Sequence, residues 1–318
     1  MNVATFYRFV RIDDPSAVAA RLRNLADPRE LRGTILLALE GINATLTGTE
    51  AALRDFIEQL QRDPRFADLP VRLSRGDPDN PIFFRMKVRV RAELIAMHCD
   101  GVDPATRTGV HVDAATWNRL LDDTDVTVID ARNRYEIALG TFPGAIDPGS
   151  ESFREFPQFA AQLDPARHRR IAMFCTGGIR CEKASAYLLE RGFDEVYQLD
   201  GGILNYLDAC RENADAENRF AGECFVFDQR VSVADDLNQG GYASCHACRR
   251  ALTEADTRSP DYVLDVSCPY CVGEQTDRQR AAFAERAHQA RLAAVRGERH
   301  VGAVMTETTK ATLNERRG

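Results

Sequence analysis

No apolar run in this chain exceeds the five residues 35–39, "ILLAL", whereas a membrane-crossing helix needs about 20. A helical membrane protein is excluded. The opening stretch "MNVATFYRFVRIDDP" lacks the basic, apolar and small-residue regions of a secretory signal, so a cytoplasmic setting is expected. No G-x-G-x-x-G follows a strand-like segment, and no 2-His-1-carboxylate pattern is present. Neither a dinucleotide-binding motif nor a non-haem iron site is indicated. Internal repeats are absent. What remains is an ordinary soluble composition, 44% apolar and 28% charged over 318 residues, with room for two or three domains.

Charge is present but unevenly placed. The net charge is −7. Residues 1–95 hold 15 Lys+Arg against 13 Asp+Glu, and the other 223 hold 26 against 35. Beyond Gln275 the sign reverses, with 9 basic residues against 5 acidic. A globally acidic chain can still offer a local basic surface to nucleic acid. The nine cysteines, in a reducing compartment, point to metal binding or catalysis rather than disulfides.

Residues 1–95 read as strand, helix, strand, strand, helix and further strands. Thr49 is the expected N-cap of the second helix, and Gly41 breaks "GTILLALEG" from "INATLTG". This order fits a compact α+β domain of the ferredoxin or acylphosphatase kind. Within "FFRMKVRVRAELIAM", Arg85, Lys87, Arg89 and Arg91 occupy every second position. On a strand they share one face. That face is either solvated or a track for phosphates.

Residues 109–217 alternate strands with helices. "HVDAATWNRLL" reads as a helix, "DVTVIDAR" and "RRIAMFC" as strands, and "EKASAYLLERGF" as a helix closed by Gly192. Such alternation gives a parallel sheet covered on both faces. Active sites of these sheets lie at the C-terminal strand ends, where Asp130 and Cys175 fall. Residues 218–275 form a short cysteine-bearing region. Residues 276–318 are expected to be an amphipathic helix followed by a disordered tail.

The loop Cys175-Thr176-Gly177-Gly178-Ile179-Arg180 joins a strand to a helix that opens with Cys181. Backbone N–H groups at such a helix start form an anion cradle. Gly177 and Gly178 permit its backbone angles and close approach, and Arg180 adds positive charge. A thiol held there is expected to ionise readily. Cys181 either resolves an oxidised Cys175 as a disulfide or packs beneath the loop.

"VIDARNRYEIALGTFPGAI", "IAMFCTGGIRCEKASAYLLERGF" and "VYQLDGGILNY" together resemble a rhodanese domain. The resemblance assigns the nucleophile to Cys175, the D-x-R pair to Asp130 and Arg132, and a glutamate to Glu136. The Cys-x4-Arg loop has the length suited to sulfur, one residue shorter than related phosphatase loops. Thr141-Phe142 departs from the usual His-Ile. With "EGINATL", "FFRMKVRVRAELI", "FREFP", "CFVFDQRVSV" and "CHACR…CPYC", the whole resembles the bacterial tRNA uridine hydroxylases, which make 5-hydroxyuridine at the wobble position. The resemblance covers roughly residues 1–275.

It implies an oxidoreductase that takes tRNA by its anticodon stem-loop and molecular oxygen as co-substrate, without DNA or membrane as partner. No electron donor is identifiable from the sequence. Cys175 would add to C6 of uracil and make C5 nucleophilic. Backbone amides and Arg180 would stabilise the negative charge, while Asp130 and Arg132 would brace the loop. A sulfurtransferase carrying a persulfide on Cys175, or an RNA-binding scaffold, are the other readings.

Cys245/Cys248 and Cys268/Cys271 are two C-x2-C knuckles with 19 residues between them. Facing each other they close a tetrahedral sulfur site suited to structural zinc, with an iron–sulfur cluster or free thiols as alternatives. Removing the metal should unfold a region this poor in apolar residues. Cys99, Cys210 and Cys224 have no partner pattern and read as packing residues.

Overall fold

The computed structural model describes residues 1–76, 82–99, 101–213 and 217–297. They form two compact units, residues 1–242 and residues 243 onward.

The first unit opens with β1 (Asn2–Phe9), α1 (Pro15–Ala26), β2 (Arg32–Ala38), β3 (Gly41–Gly48), α2 (Glu50–Gln61), β4 (Arg72–Arg75) and β5 (Met86–Val90). These strands make one sheet in the order β4-β1-β3-β2-β5, antiparallel except where β5 joins β2. Asp14 caps α1, and Thr49 caps α2 through the N–H of Ala52, as expected. Both helices cover one face. There Phe6, Ile35, Leu37, Ile42, Ala44 and Val88 pack with Leu22, Leu53 and Phe56.

The opposite face carries the intervening side chains, because strand side chains alternate. The register aligns Tyr7, Asn43, Leu36 and Arg89 in one row across β1, β3, β2 and β5. The strand expected to run through "AELIAM" stops at Val90. Beyond Arg91, whose N–H reaches Leu37, β2 offers no further partner. The chain turns instead, with the Leu94 N–H bonded to the Glu40 carboxylate.

A second sheet follows, built from β6 (Val110–Val112), β7 (Val126–Asp130), β9 (Arg170–Phe174) and β10 (Glu195–Leu199). Its order is β6-β10-β9-β7 and every pairing is parallel. His111 and Val112 lie in β6 rather than in the helix expected over them. Asp113 caps α3 (Ala114–Asp122), so the helix starts after it. α4 (Arg134–Ile137), β8 (Gly140–Thr141) and α5 (Phe156–Ala160) fill the crossover from β7 to β9. α6 (Ile179–Glu190) and α7 (Gly202–Glu212) follow β9 and β10. One core lies on the α6 side, around Ile129, Ile171, Met173 and Leu188. Another surrounds Trp117, Phe142, Phe174 and Tyr206.

β11 (Ala221–Gly222) pairs with β8, and β12 (Cys224–Phe225) pairs with β13 (Ser232–Val233). Phe220, Cys224, Val226 and Val233 belong to the Trp117 core. The stretch after residue 217 therefore completes the first unit before the cysteine knuckles begin.

The second unit contains a hairpin of β14 (Ala243–Ser244) and β15 (Ala251–Leu252), then α8 (Glu254–Thr257) and α9 (Asp277–Val295). Its core consists of Leu252, Cys245, Cys268 and Cys271. α9 is the expected helix, but of its side chains only Ala287 and Ala293 are buried, so the amphipathic stripe is shallow. The tail expected from Gly297 on lies, past that residue, outside the described residues.

Candidate active site

Buried β9 ends at Phe174, and the chain bends at Cys175 into the start of α6. Gly178 caps that helix with φ at 91°, the left-handed region that glycine tolerates. A Cβ on Gly178 would also stand 2.6 Å from the Tyr7 hydroxyl, whereas one on Gly177 would meet nothing within 4 Å. Of the two glycines, only Gly178 is demanded by backbone and space. Gly177 leaves the loop open.

α7 holds the loop from behind. The N–H groups of Ile203 and Leu204 donate to the carbonyls of Cys175 and Thr176 at 3.0 and 3.1 Å. Gly202 permits this approach, since a Cβ there would stand 2.4 Å from the Cys175 carbonyl oxygen. With its carbonyls turned toward α7, the loop presents its N–H groups to the sulfur. The Gly178 N–H lies 3.1 Å from Cys175 Sγ. Burial pushes the Cys175 thiol up. A hydrogen bond from Cys181, the charge of Arg180 and the N–H groups of Arg180 and Cys181 outweigh it, and the thiol falls to about 6 from an ordinary 9.0. Cys181, buried beside that sulfur, is pushed well up and keeps its proton. One sulfur is an anion and the other its donor.

Arg180 makes a fork with Glu136, at 2.6 and 2.7 Å. Its charge reaches Cys175 from a paired guanidinium rather than a free one. Asp130 and Arg132 pair with each other at 2.9 and 2.6 Å, and Thr141 donates to Asp130 at 2.8 Å. Arg132 also reaches the Gly140 carbonyl. This pair fixes the β7 end and β8, next to the point where the Ala131 N–H meets the Phe174 carbonyl. Phe142, which departs from the usual rhodanese residue, is fully buried against Trp117, Phe174, Tyr206 and Phe220.

The N-terminal sheet reaches the same loop. Tyr7 donates to Glu182 Oε1 at 3.2 Å, and burial and nearby anions hold its hydroxyl protonated. Glu182 also accepts from Thr108 at 2.8 Å and Gln198 at 3.1 Å, and it lies 2.9 Å from His111. Lys183, 2% exposed, binds Glu93 at 2.5 Å, Glu40 and the Ile95 carbonyl. Of the basic strand residues, Arg85, Arg89 and Arg91 are exposed and Lys87 is half-buried. Lys87 and Arg89 lie within β5, and Arg85 and Arg91 flank it. On the other face of the strand, expected to be apolar through Met86, Val88 and Val90, Val88 is buried but Val90 is 43% exposed.

In the second unit Cys245, Cys248, Cys268 and Cys271 bring their sulfurs within 4.8 Å of one another. The closer separations are 3.6, 3.7 and 3.9 Å. Sulfurs about 2.3 Å from a tetrahedral metal stand about 3.8 Å apart. Four sulfur donors at these distances fit a metal ion and leave no position open for substrate. The Gln275 amide donates to Cys271 Sγ at 3.1 Å, which suits a thiolate ligand.

Residues 1–94 match the UPF0176 acylphosphatase-like domain, and residues 113–209 match the rhodanese-like domain. A tRNA uridine(34) hydroxylase of Teredinibacter turnerae is 45% identical over 301 residues, 94% of this chain and 92% of that protein. The chain belongs to the tRNA uridine(34) hydroxylase family. Among solved structures, a rhodanese-related protein from Thermoplasma volcanium covers 31% of this chain and 92% of its own, at 20% identity and TM-score 0.26. An acylphosphatase from Bacillus subtilis covers 28% of this chain and 99% of its own, at 20% identity and TM-score 0.24.

In this member of the hydroxylase family, the sequence pattern named Cys175, Cys181 and the four knuckle cysteines by local spacing, and the structure brings Cys181 beside Cys175 and the four knuckle sulfurs together. It did not name Tyr7, Glu182, His111 and Lys183, whose contacts beside the loop join residues far apart in sequence. "DGGILNY" was visible as a motif, and the signal for its role was its second glycine, where α7 approaches the loop.

Proposed function

We propose that this protein is an oxidoreductase that hydroxylates C5 of uridine 34 in tRNA, with Cys175 as its nucleophile. The observation that carries the reading is the Cys175 thiol lowered to about 6 within an amide cradle, in a chain 45% identical to a protein named for that reaction. C5 of uracil is a weak nucleophile while the C5=C6 bond is intact. Thiolate addition at C6 breaks that double bond and moves its electron pair to an enolate at C5. The enolate attacks molecular oxygen. One oxygen atom stays on C5, and the other leaves as water with two electrons and two protons from an external donor. Loss of the C5 proton and departure of Cys175 restore the double bond. The cradle that stabilises the thiolate at the start serves equally when it leaves. Cys181 donates to that anion, Arg180 contributes charge, and Asp130 and Arg132 hold the strand end beneath. Gly177 lets substrate approach the loop, whereas Gly178, expected to share that role, is covered by Tyr7 and serves the turn of the loop.

The anticodon stem-loop is the natural substrate fragment. Arg85, Lys87, Arg89 and Arg91 would take its phosphates. Arg89 and Tyr7 share one row of the sheet, three strand spacings or about 14 Å apart, and Tyr7 stands over Gly178. A backbone bound at β5 is thus within a few nucleotides of the cysteine. The four-sulfur site would hold zinc as a structural ion. No helix of the described residues is long and apolar enough to cross a membrane, in keeping with a cytoplasmic enzyme acting on tRNA.

Mass spectrometry of tRNA from a deletion strain complemented with wild type or Cys175→Ser tests the reading. The extra oxygen on uridine 34 should return only with wild type. Its return with Cys175→Ser would contradict the proposal, and loss of a sulfur instead of an oxygen would favour persulfide transfer. A stem-loop with 5-fluorouridine at position 34 should form a covalent adduct with Cys175.

A further inference from the structure

Cys175 has no exposed surface, so a base that reacts with it must first be received at the rim of its loop. Thr176 donates its hydroxyl to the Phe225 carbonyl at 3.3 Å. The Arg180 guanidinium lies 5.7 Å from the centroid of the Phe227 ring. The β12–β13 hairpin therefore meets the loop near both of its ends. Between those contacts lies Gly177, where an added Cβ would meet nothing within 4 Å, so the middle of the loop faces open space.

Phe227 stands at this rim, 64% exposed, the one phenylalanine among the large hydrophobic side chains exposed in the described residues. Single exposed apolar residues are common, but this one is built into position. Phe225 meets its ring edge-on at 5.1 Å, and Tyr135 meets Phe225 at 5.3 Å. Asp228 and Arg230 pair at 2.7 Å in the same turn. Val231 completes the turn at φ 67°, a strained angle for a β-branched residue that persists only where the surroundings impose it.

We propose that Phe227 is a stacking platform for the uracil ring of the nucleotide presented to Cys175. This rests on the uridine reading above. A thiolate adds to C6 along the normal to the ring, so one face of the base belongs to sulfur and the other needs support. A flat ring stacks well on an aromatic side chain, and the contact of the Arg180 cation with the Phe227 ring helps to hold that side chain in place.

The test compares binding of two stem-loop RNAs, one with uridine at position 34 and one abasic there, to wild type, Phe227→Leu and Phe227→Trp. Phe227→Leu should weaken the uridine RNA roughly tenfold and leave the abasic RNA unchanged, while Phe227→Trp restores binding. The melting temperature and the Cys175 thiolate titration should be the same in all three proteins. Wild-type affinity of Phe227→Leu for the uridine RNA, or equal losses on both RNAs, overturns the platform and leaves hydroxylation by Cys175 standing. If wild type binds neither RNA, the uridine reading fails and the platform with it.

Discussion

Two sets of cysteines in this chain hold the same atom in opposite surroundings. In the first unit a single sulfur is made anionic by its surroundings, namely loop amides, a helix start, a neighbouring thiol and a paired arginine. In the second unit four sulfurs face one another at 3.6–3.9 Å for the closer pairs, and backbone N–H groups are shared out among Cys245, Cys248, Cys268 and Cys271 instead of converging on one of them. Isolation in a field of dipoles makes a nucleophile. Mutual convergence makes a ligand set. The comparison predicts that each site can be damaged without the other.

The largest effect should come from the second unit. Metal binding to such sites is worth about 10–16 kcal/mol in small zinc-dependent folds, and here the core is Leu252 with three cysteines. Cys268→Ser, or a chelator, should release the metal and make residues 243–297 protease-sensitive. The Cys175 thiolate should be unchanged. A shift in both would break the comparison.

Glu136→Gln strikes the first unit. It leaves the 6% exposed Arg180 without its counterion, and breaking a buried pair costs about 3–5 kcal/mol. Urea denaturation should show that loss with the metal retained. A stability change under about 1 kcal/mol would mean that Arg180 is not held by this fork.

The ionised sulfur should also make stability depend on pH. The folded thiol titrates near 6 and an ordinary one at 9.0. Its contribution is fully present above pH 9.0, and it is lost as pH falls toward 6. Wild type should therefore gain on Cys175→Ser by about 1 kcal/mol per pH unit across that window. Above it the difference levels off, because the thiol at 175 is ionised in both the folded and the unfolded chain. A flat difference between pH 6 and 9 would contradict the assignment.

The smallest predicted change sharpens the role of Cys181. Removing one hydrogen bond to a charged acceptor costs about 1.5 kcal/mol, close to one pKa unit. Cys181→Ala should raise the Cys175 midpoint by about one unit, whereas Cys181→Ser, which keeps a donor, should restore most of it. Equal behaviour of the two variants would leave Cys181 as packing.

What the sequence revealed divides along the same physical line. The Cys175 loop and the knuckles are written in consecutive residues, so their geometry follows from local turns and helix starts. The sheets were legible from alternating patterns. Arg85 through Arg91 were readable as one face, although the strand ends sooner than its residues suggest because β2 runs out. Tyr7 and Glu182 are 175 residues apart, and Lys183 lies 143 and 90 residues from its two carboxylates. Nothing in their neighbours announces those meetings, which depend on how one sheet docks against another helix. Arg180 was read as a positive charge and Glu136 as a glutamate of the resemblance, but their pairing spans 44 residues and has no local signal.

Ultraviolet titration of thiolate absorbance, wild type minus Cys175→Ser, tests the central claim most directly, since it needs no access to the buried sulfur. The account predicts a single step with a midpoint near 6. A midpoint at or above the ordinary 9.0 would contradict it.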